Sequence, residues 1–160
     1  MPRPFRWHRR QASRQKLNMK DLLKLDKQLC FSVYVLHREI MQCYRPILKN
    51  IGLTYPQYIT MMTLWEKDDV TVNQVGEILQ LDNGTLTPLL KRLESKGYLE
   101  RKRSKEDERV VKINLTKKGA KLKEDASCIP IELAKAMNLN LEEMEQLKTL
   151  SDKVVQKINQ

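Results

Sequence analysis

From Met19 onward, apolar residues recur every three or four positions: Leu22, Leu25, Leu29, Val33, Leu36, Ile40, Cys43 and Ile47. That spacing predicts one long amphipathic helix ending near Gly52. A second stripe (Leu23, Cys30, Tyr34, Met41, Tyr44, Leu48) runs beside the first, so burial is expected on two sides, by the domain itself and by a partner subunit. Thr54-Tyr55-Pro56 opens a second helix to about Lys67, with Thr54 as cap and Pro56 in the first turn. Thr71-Val72-Asn73-Gln74 has the form of a capping box for a short helix presenting Val72, Val75, Ile78 and Leu79. Asp82-Asn83-Gly84 reads as a turn, followed by a helix marked by Leu86, Leu89, Leu90 and Leu93. Pro88 should confine its start to about Gly84 or Thr85, since proline suits only a first turn, and Gly97 should terminate it.

The period then changes from helical to alternating. Residues 98–103 and 110–115 read as two short strands, the second setting Val111, Ile113 and Leu115 against Val110, Lys112 and Asn114. The turn between them is charged. Thr116 is placed to cap a further helix, which Pro130 must kink or interrupt. Asn140-Leu141-Glu142-Glu143 caps the last, whose stripe is Leu141, Met144, Leu147, Leu150, Val154 and Ile158. The expected fold is mainly α (α+β): two short helices joined by a tight turn, then a hairpin, which is a winged helix-turn-helix.

Charge refines this picture. Seven of the ten net positive charges lie in the first 20 residues, so the body is only mildly basic. Residues 1–18 lack apolar periodicity and are expected to be a basic disordered arm or an extension, with Met19 a natural start. Residues 19–160 form the domain. No run reaches the roughly 20 apolar residues of a membrane span, and no hydrophobic stretch follows the basic start as in a secretory signal. A cytoplasmic protein is expected. Cys30, Cys43 and Cys128 have no metal-ligand spacing, and the histidines are only His8 and His37. Neither metal nor cofactor is expected. With no phosphate loop and no nucleophile–His–acid arrangement, the chain does not read as an enzyme.

A winged helix needs small polar donors at the start of its second helix and cations nearby. Asn83, Thr85 and Thr87, then Lys91 and Arg92, meet that demand for base edges and phosphates. In the hairpin, Arg103, Lys105 and Arg109 suit phosphates or a narrow minor groove. A solvated hairpin in a helical adaptor that binds no DNA is the competing reading.

The segment 81–94, Leu-Asp-Asn-Gly-Thr-Leu-Thr-Pro-Leu-Leu-Lys-Arg-Leu-Glu, resembles the recognition helix of MarR-family regulators, and 101–109 resembles that family's wing. Leu29-Cys30-Phe31 with Tyr34, then Tyr44, then Thr54-Tyr55-Pro56-Gln57-Tyr58, resembles the organic-hydroperoxide-sensing branch. The likeness covers about residues 20–135. It implies a homodimer with dimerisation helices at about 20–50 and 117–160 and a DNA-binding part at about 54–116. It further implies repression at an inverted-repeat operator, relieved when an organic hydroperoxide oxidises Cys30. Tyr44 and Tyr55 would hydrogen-bond that thiol across the interface, and Asp107 and Arg109 belong to the wing, Arg109 reaching the minor groove. Two departures are Asn83, where close relatives often carry serine, and His37, where small polar residues are usual.

The residues themselves are compatible with this role. Cys30 and Tyr34, four apart, share a helix face, and phenolic donors favour a reactive thiolate. By spacing alone Cys30 reads as a core thiol; the flanking residues and matching tyrosines shift the assignment to sensing. Cys43, 13 residues further along one helix, would lie about 20 Å away, beyond the roughly 7 Å a disulfide allows. In two-cysteine members of the branch, the resolving thiol lies in the region of Cys128, on the other subunit. A MarR-type repressor governed by a small phenolic ligand is the alternative input.

Overall fold

The computed structural model describes residues 23–104 and 107–160; the basic arm (1–18), Leu22 and Lys105 lie outside the described residues. The chain divides into two compact units, residues 1–37 and 38–160. In the first, a single 3-10 turn (Leu25–Lys27) is followed by extended Gln28, after which helix α1 (Leu29–Asn50) begins. The long helix therefore starts later than the apolar stripe suggested. Leu23, Leu25 and Leu29 are 91%, 61% and 72% exposed, and without tertiary burial a short helical extension is marginal in water.

The second unit holds the core. Just past the end of α1, Gly52 with a φ of +67° turns the chain and lets Leu53 N–H donate to Leu48 O at 3.0 Å. Helix α2 (Tyr55–Glu66) starts as expected, with Pro56 in its first turn and Gln57 Oε1 accepting from Thr54 N–H. Its buried Thr60 and Thr63 hydroxyls return to the carbonyls of Pro56 and Ile59, so no polar group is stranded. A two-residue strand β1 (Val70–Thr71), which the pattern did not announce, precedes α3 (Val72–Leu79). Both bonds of the Thr71–Gln74 capping box form. Ile78 faces solvent, contrary to expectation. The inward arc of α3 runs through Val75 and Gly76, where an added Cβ would meet the Leu81 carbonyl at 3.0 Å.

Helix α4 (Asn83–Ser95) begins earlier than the proline suggested. Asp82 is its cap, accepting from Thr85 N–H at 2.9 Å, so residues 82–84 form the cap and first turn. Pro88 lies in the second turn on an exposed face, where water can satisfy the carbonyl its missing N–H leaves free. Gly97, at φ +73°, ends the helix through bonds from Gly97 N–H to Glu94 O and from Tyr98 N–H to Leu93 O.

Strands β2 (Leu99–Arg103) and β3 (Val111–Leu115) form the expected hairpin, and β3 also pairs with β1 in the order β1-β3-β2, all antiparallel. Thr116 caps α5 (Lys117–Ala126), and the helix breaks before α6 (Ile129–Met137), which carries Pro130 in its first turn. The reciprocal Asn140–Glu143 box opens α7 (Leu141–Ile158). The core joins Met61 and Leu64 of α2, Val75 of α3, four leucines of α4 (Leu86, Leu89, Leu90, Leu93), Leu99 and Ile113 of the hairpin, and Ile129 of α6. Helix α7 buries none of its residues; Leu141 and Ile158 are 82% and 75% exposed.

At Gly119 the α5 backbone meets the wing. A Cβ there would stand 1.8 Å from Tyr98 O, and the Gly119 carbonyl accepts from Trp65 Nε1 at 2.9 Å. Because the obstacle is backbone, Gly119→Ala is expected to destabilise the fold by about 3 kcal/mol, the upper end for overpacking. Urea unfolding of the two proteins checks this; a midpoint within error of wild type refutes it.

Candidate functional site

Two clusters of polar residues stand out on the second unit. One is built by α3, α4 and the wing. Asn83 and Thr87 of α4, Thr71 and Asn73 at the start of α3, and Arg101 and Arg109 of the hairpin line a common groove of about 440 Å³. Arg109 is brought there by the turn: Asp107 accepts Arg109 N–H on its side chain at 2.9 Å and Val110 N–H on its carbonyl. Asp107 thus shapes the wing as a turn residue. Lys91, Arg92 and Arg103 are all exposed, the first two on α4 and the third at the outer end of β2.

The angle between wing and helix is held by one charged contact. Arg101 donates from Nε and Nη2 to Glu94 Oε2 at 2.9 and 2.6 Å, and its backbone N–H donates to Glu94 Oε1 at 3.0 Å. Arg101 holds the Glu94 carboxyl below the usual carboxylate range, so the pair is ionised at neutral pH. The base of the wing is tied down separately. Asp68 accepts from Leu115 N–H, and Asp69, at φ +54°, takes Lys112 Nζ and Asn114 Nδ2.

Asp82 does more than cap. Its second carboxylate oxygen accepts the Thr85 hydroxyl at 2.8 Å, and these bonds hold its carboxyl below the ordinary value. Thr85 therefore serves the helix start while remaining exposed.

The other cluster is aromatic. The Tyr44 and Tyr55 rings lie 4.8 Å apart and Tyr44 and Tyr58 6.2 Å apart, so Tyr44 joins the N-terminal end of α2 to the later half of α1. Met41, Tyr44, Arg45, Leu48 and Lys49 of α1 and residues 52–55 enclose a cavity of about 400 Å³ there. Burial, then the neighbouring Tyr55 and Tyr58, pushes the Tyr44 hydroxyl up to about 12. Burial also raises Tyr58, with Tyr55 and the Cys128 thiol adding to it.

Of the three thiols, Cys30 and Cys128 are exposed, and Cys43 is half-buried with Sγ 3.8 Å from Ala136 O. In the first unit, Cys30 and Tyr34 sit one turn apart on α1, and the Phe31 and Tyr34 rings are 6.5 Å apart. Among the described residues no group of three or more His, Cys, Asp or Glu is placed to hold a metal, and no helix is long and apolar enough to cross a membrane.

Sequence reasoning did not single out Asn73, Glu94, Arg101 or Tyr58. Asn73 lay within a box read as capping alone, and Glu94 and Arg101, seven residues apart across a helix end, share no local period. Tyr58 reads in the sequence as a residue of the second helix and of the family resemblance, with no role in the site.

A capped helix pair, a second helix with a polar N-terminal half and a basic three-stranded wing define a winged-helix transcriptional regulator. Residues 42–126 match the family described as transcriptional regulator SarA/Rot. The organic hydroperoxide resistance transcriptional regulator of Bacillus subtilis is 48% identical over 132 residues, 82% of this chain and 90% of that protein. The structure of reduced AbfR bound to DNA, a Staphylococcus epidermidis protein, superposes with a TM-score of 0.71 at 35% identity, covering 88% of this chain and 96% of that one. The disulfide form of AbfR superposes at 0.62 with 34% identity over 88% and 93% of the two chains. The chain belongs to the MarR family of transcriptional regulators, in the organic-hydroperoxide-sensing branch.

The Tyr44 hydroxyl has a consequence that can be measured. Between pH 10 and about 12 an unfolded chain ionises this phenol while the folded protein keeps it protonated, so stability should be full below pH 10 and fall across that window. Tyr44→Phe should show a shallower fall than wild type in chemical denaturation at pH 9 and pH 11; equal slopes would mean that Tyr44 is not the group responsible.

Proposed function

We propose that the protein is a cytoplasmic homodimeric repressor that binds an inverted-repeat operator and leaves it when an organic hydroperoxide oxidises Cys30. The observation that carries the DNA-binding half is the groove in which Asn83 and Thr87 of α4 meet Arg109 of the wing. In this reading α4 enters the major groove, with Asn83, Thr85 and Thr87 toward base edges and Lys91 and Arg92 toward phosphates or guanine. Arg103, Lys105 and Arg109 serve the flanking backbone or minor groove, and Asp107 fixes the turn that presents Arg109.

The uncovered apolar faces of α1 and α7 support dimerisation: Leu29, Val33, Leu141 and Val154 are too exposed for a solitary subunit. In this reading residues 19–160 make up the functional domain, with residues 54–116 contacting DNA and the first and last helices contacting the second copy.

The 48% identity to the Bacillus regulator, and the existence of a relative in reduced, DNA-bound and disulfide forms, support the redox half. The Cys30 thiolate attacks the terminal peroxide oxygen: an S–O bond forms, the O–O bond breaks and the alkoxide leaves, taking a proton from water to become the alcohol, while Cys30 is left as a sulfenic acid. Tyr34, Tyr44 and Tyr55 are assigned to support the thiolate. The partner subunit's Cys128 then displaces water from the sulfenic acid and closes a disulfide. The chemistry is consumed in signalling and is not turned over.

A gel-shift assay on an operator fragment with and without cumene hydroperoxide tests the whole cycle. The expected result is DNA release in parallel with a reductant-sensitive covalent dimer, and loss of that dimer in Cys128→Ser while Cys30 still forms a sulfenic acid. A dimer band that persists without Cys128 overturns the pairing. Release by a phenolic ligand from a Cys30→Ser protein would instead favour the small-molecule input, for which the cavity beside Tyr44 offers room.

Arg109→Ala is expected to weaken operator binding by about 1–3 kcal/mol while the dimer stays intact, measured by fluorescence anisotropy at fixed salt. Unchanged affinity would remove Arg109 from the interface.

A further inference from the structure

A signal at the tyrosine cavity is useful only if something fixes that cavity to the recognition helix. Most of what holds α4 is apolar: Leu86, Leu89, Leu90 and Leu93 pack in the core, and such contacts are non-directional. Two directional links stand apart from them: Glu94 ties the helix to the wing, and a second ties it to the cavity. Lys96, the residue that closes α4, reaches back across the fold and donates from Nζ to Gly52 O at 2.6 Å and to Gln57 Oε1 at 3.1 Å. Both acceptors belong to the frame of the cavity. Gly52 lines it, and Gln57 is the buried side chain whose Oε1 also receives Thr54 N–H and so fixes the first turn of α2, where Tyr55 sits. Lys96 is itself held by its backbone, since its carbonyl accepts Lys118 Nζ at 2.8 Å and its N–H bonds Arg92 O.

We infer that Lys96 is a positioning residue that transmits a displacement of the Tyr55 end of α2 to the C-terminal end of the recognition helix. The inference rests on the redox reading above. If Tyr55 moves when the sensing thiol is oxidised, Gln57 moves with the same helical turn. Its oxygen then either drags the ammonium or drops it, and the last turn of α4 follows. A neutral acceptor pair suits this task. Amide and peptide oxygens bind an ammonium firmly enough to orient it, without the Coulomb energy that would lock the helix in place.

The test uses the full chain and compares operator affinity before and after oxidation by cumene hydroperoxide, with Cys30 oxidation followed by mass spectrometry. Lys96→Met keeps the aliphatic stem and removes the donors. It is expected to bind operator within about threefold of wild type when reduced and to oxidise equally fast. Its ratio of oxidised to reduced dissociation constants should nevertheless fall at least tenfold below the wild-type ratio. Lys96→Arg, which keeps donors on a similar stem, should retain most of the wild-type ratio. An unchanged ratio in Lys96→Met overturns the role. So does loss of binding in the reduced Met protein, since the bridge would then hold the helix rather than relay a change. An Arg protein that behaves like Met overturns the hydrogen-bond account. Wild-type protein that stays on DNA after complete Cys30 oxidation overturns the redox reading itself, and the relay with it, so the two failures are separable.

Discussion

The backbone around Gly97 and Tyr98 is where three elements are forced together, and the geometry elsewhere follows from that contact. Gly97 ends α4 in a left-handed conformation, and its carbonyl accepts the Thr116 hydroxyl at 2.6 Å. Tyr98 O receives Thr116 N–H at 3.1 Å while the α5 backbone lies against it at Gly119. Two glycines are therefore required for different reasons, one by backbone angle and one by space. Because Thr116 follows β3 directly, this contact clamps the start of the first wing strand to the end of the second. The hairpin thus has a fixed root, and the Glu94–Arg101 pair fixes its lean toward α4.

Much of this was legible in the sequence because caps and breakers are local chemistry. The Thr71–Gln74 and Asn140–Glu143 boxes, Thr116 and Gly97 each act within four residues, so their signals survive without knowledge of the fold. Pro130 interrupts where it should. Pro88 misled the boundary of α4 because the rule against internal proline weakens on a solvated face. The strand β1 has two residues, too few for any period, and exists only because β3 offers an open edge. The late start of α1 has another cause: its apolar stripe asks for a neighbour that one chain does not supply.

The candidate site divides in the same way. Polar residues at the start of α4 and cations in the hairpin could be read from position in a recognisable motif. The pairing of Glu94 with Arg101, the grip of Lys96 on Gln57, and the closeness of Tyr58 to Tyr44 depend on how separate elements pack against one another, and no interval in the sequence encodes that. Uncovered faces on α1 and α7 also mean that the stability of this protein and its assembly are linked: a second copy that covers them stabilises the fold by an amount that grows with the logarithm of concentration.

Asp82 carries a consequence for how the exposed start of α4 can read a ligand. Its carboxylate is ionised and can only accept, so the hydrogen of the Thr85 hydroxyl is committed to it. Thr85 then presents a methyl group and oxygen lone pairs, and no donor. Such a surface complements the exocyclic amino group of adenine or cytosine, or the methyl of thymine, and it repels a phosphate oxygen or the carbonyl edge of guanine. A residue type that ordinarily hydrogen-bonds in either direction has been made one-sided by the cap that starts its helix.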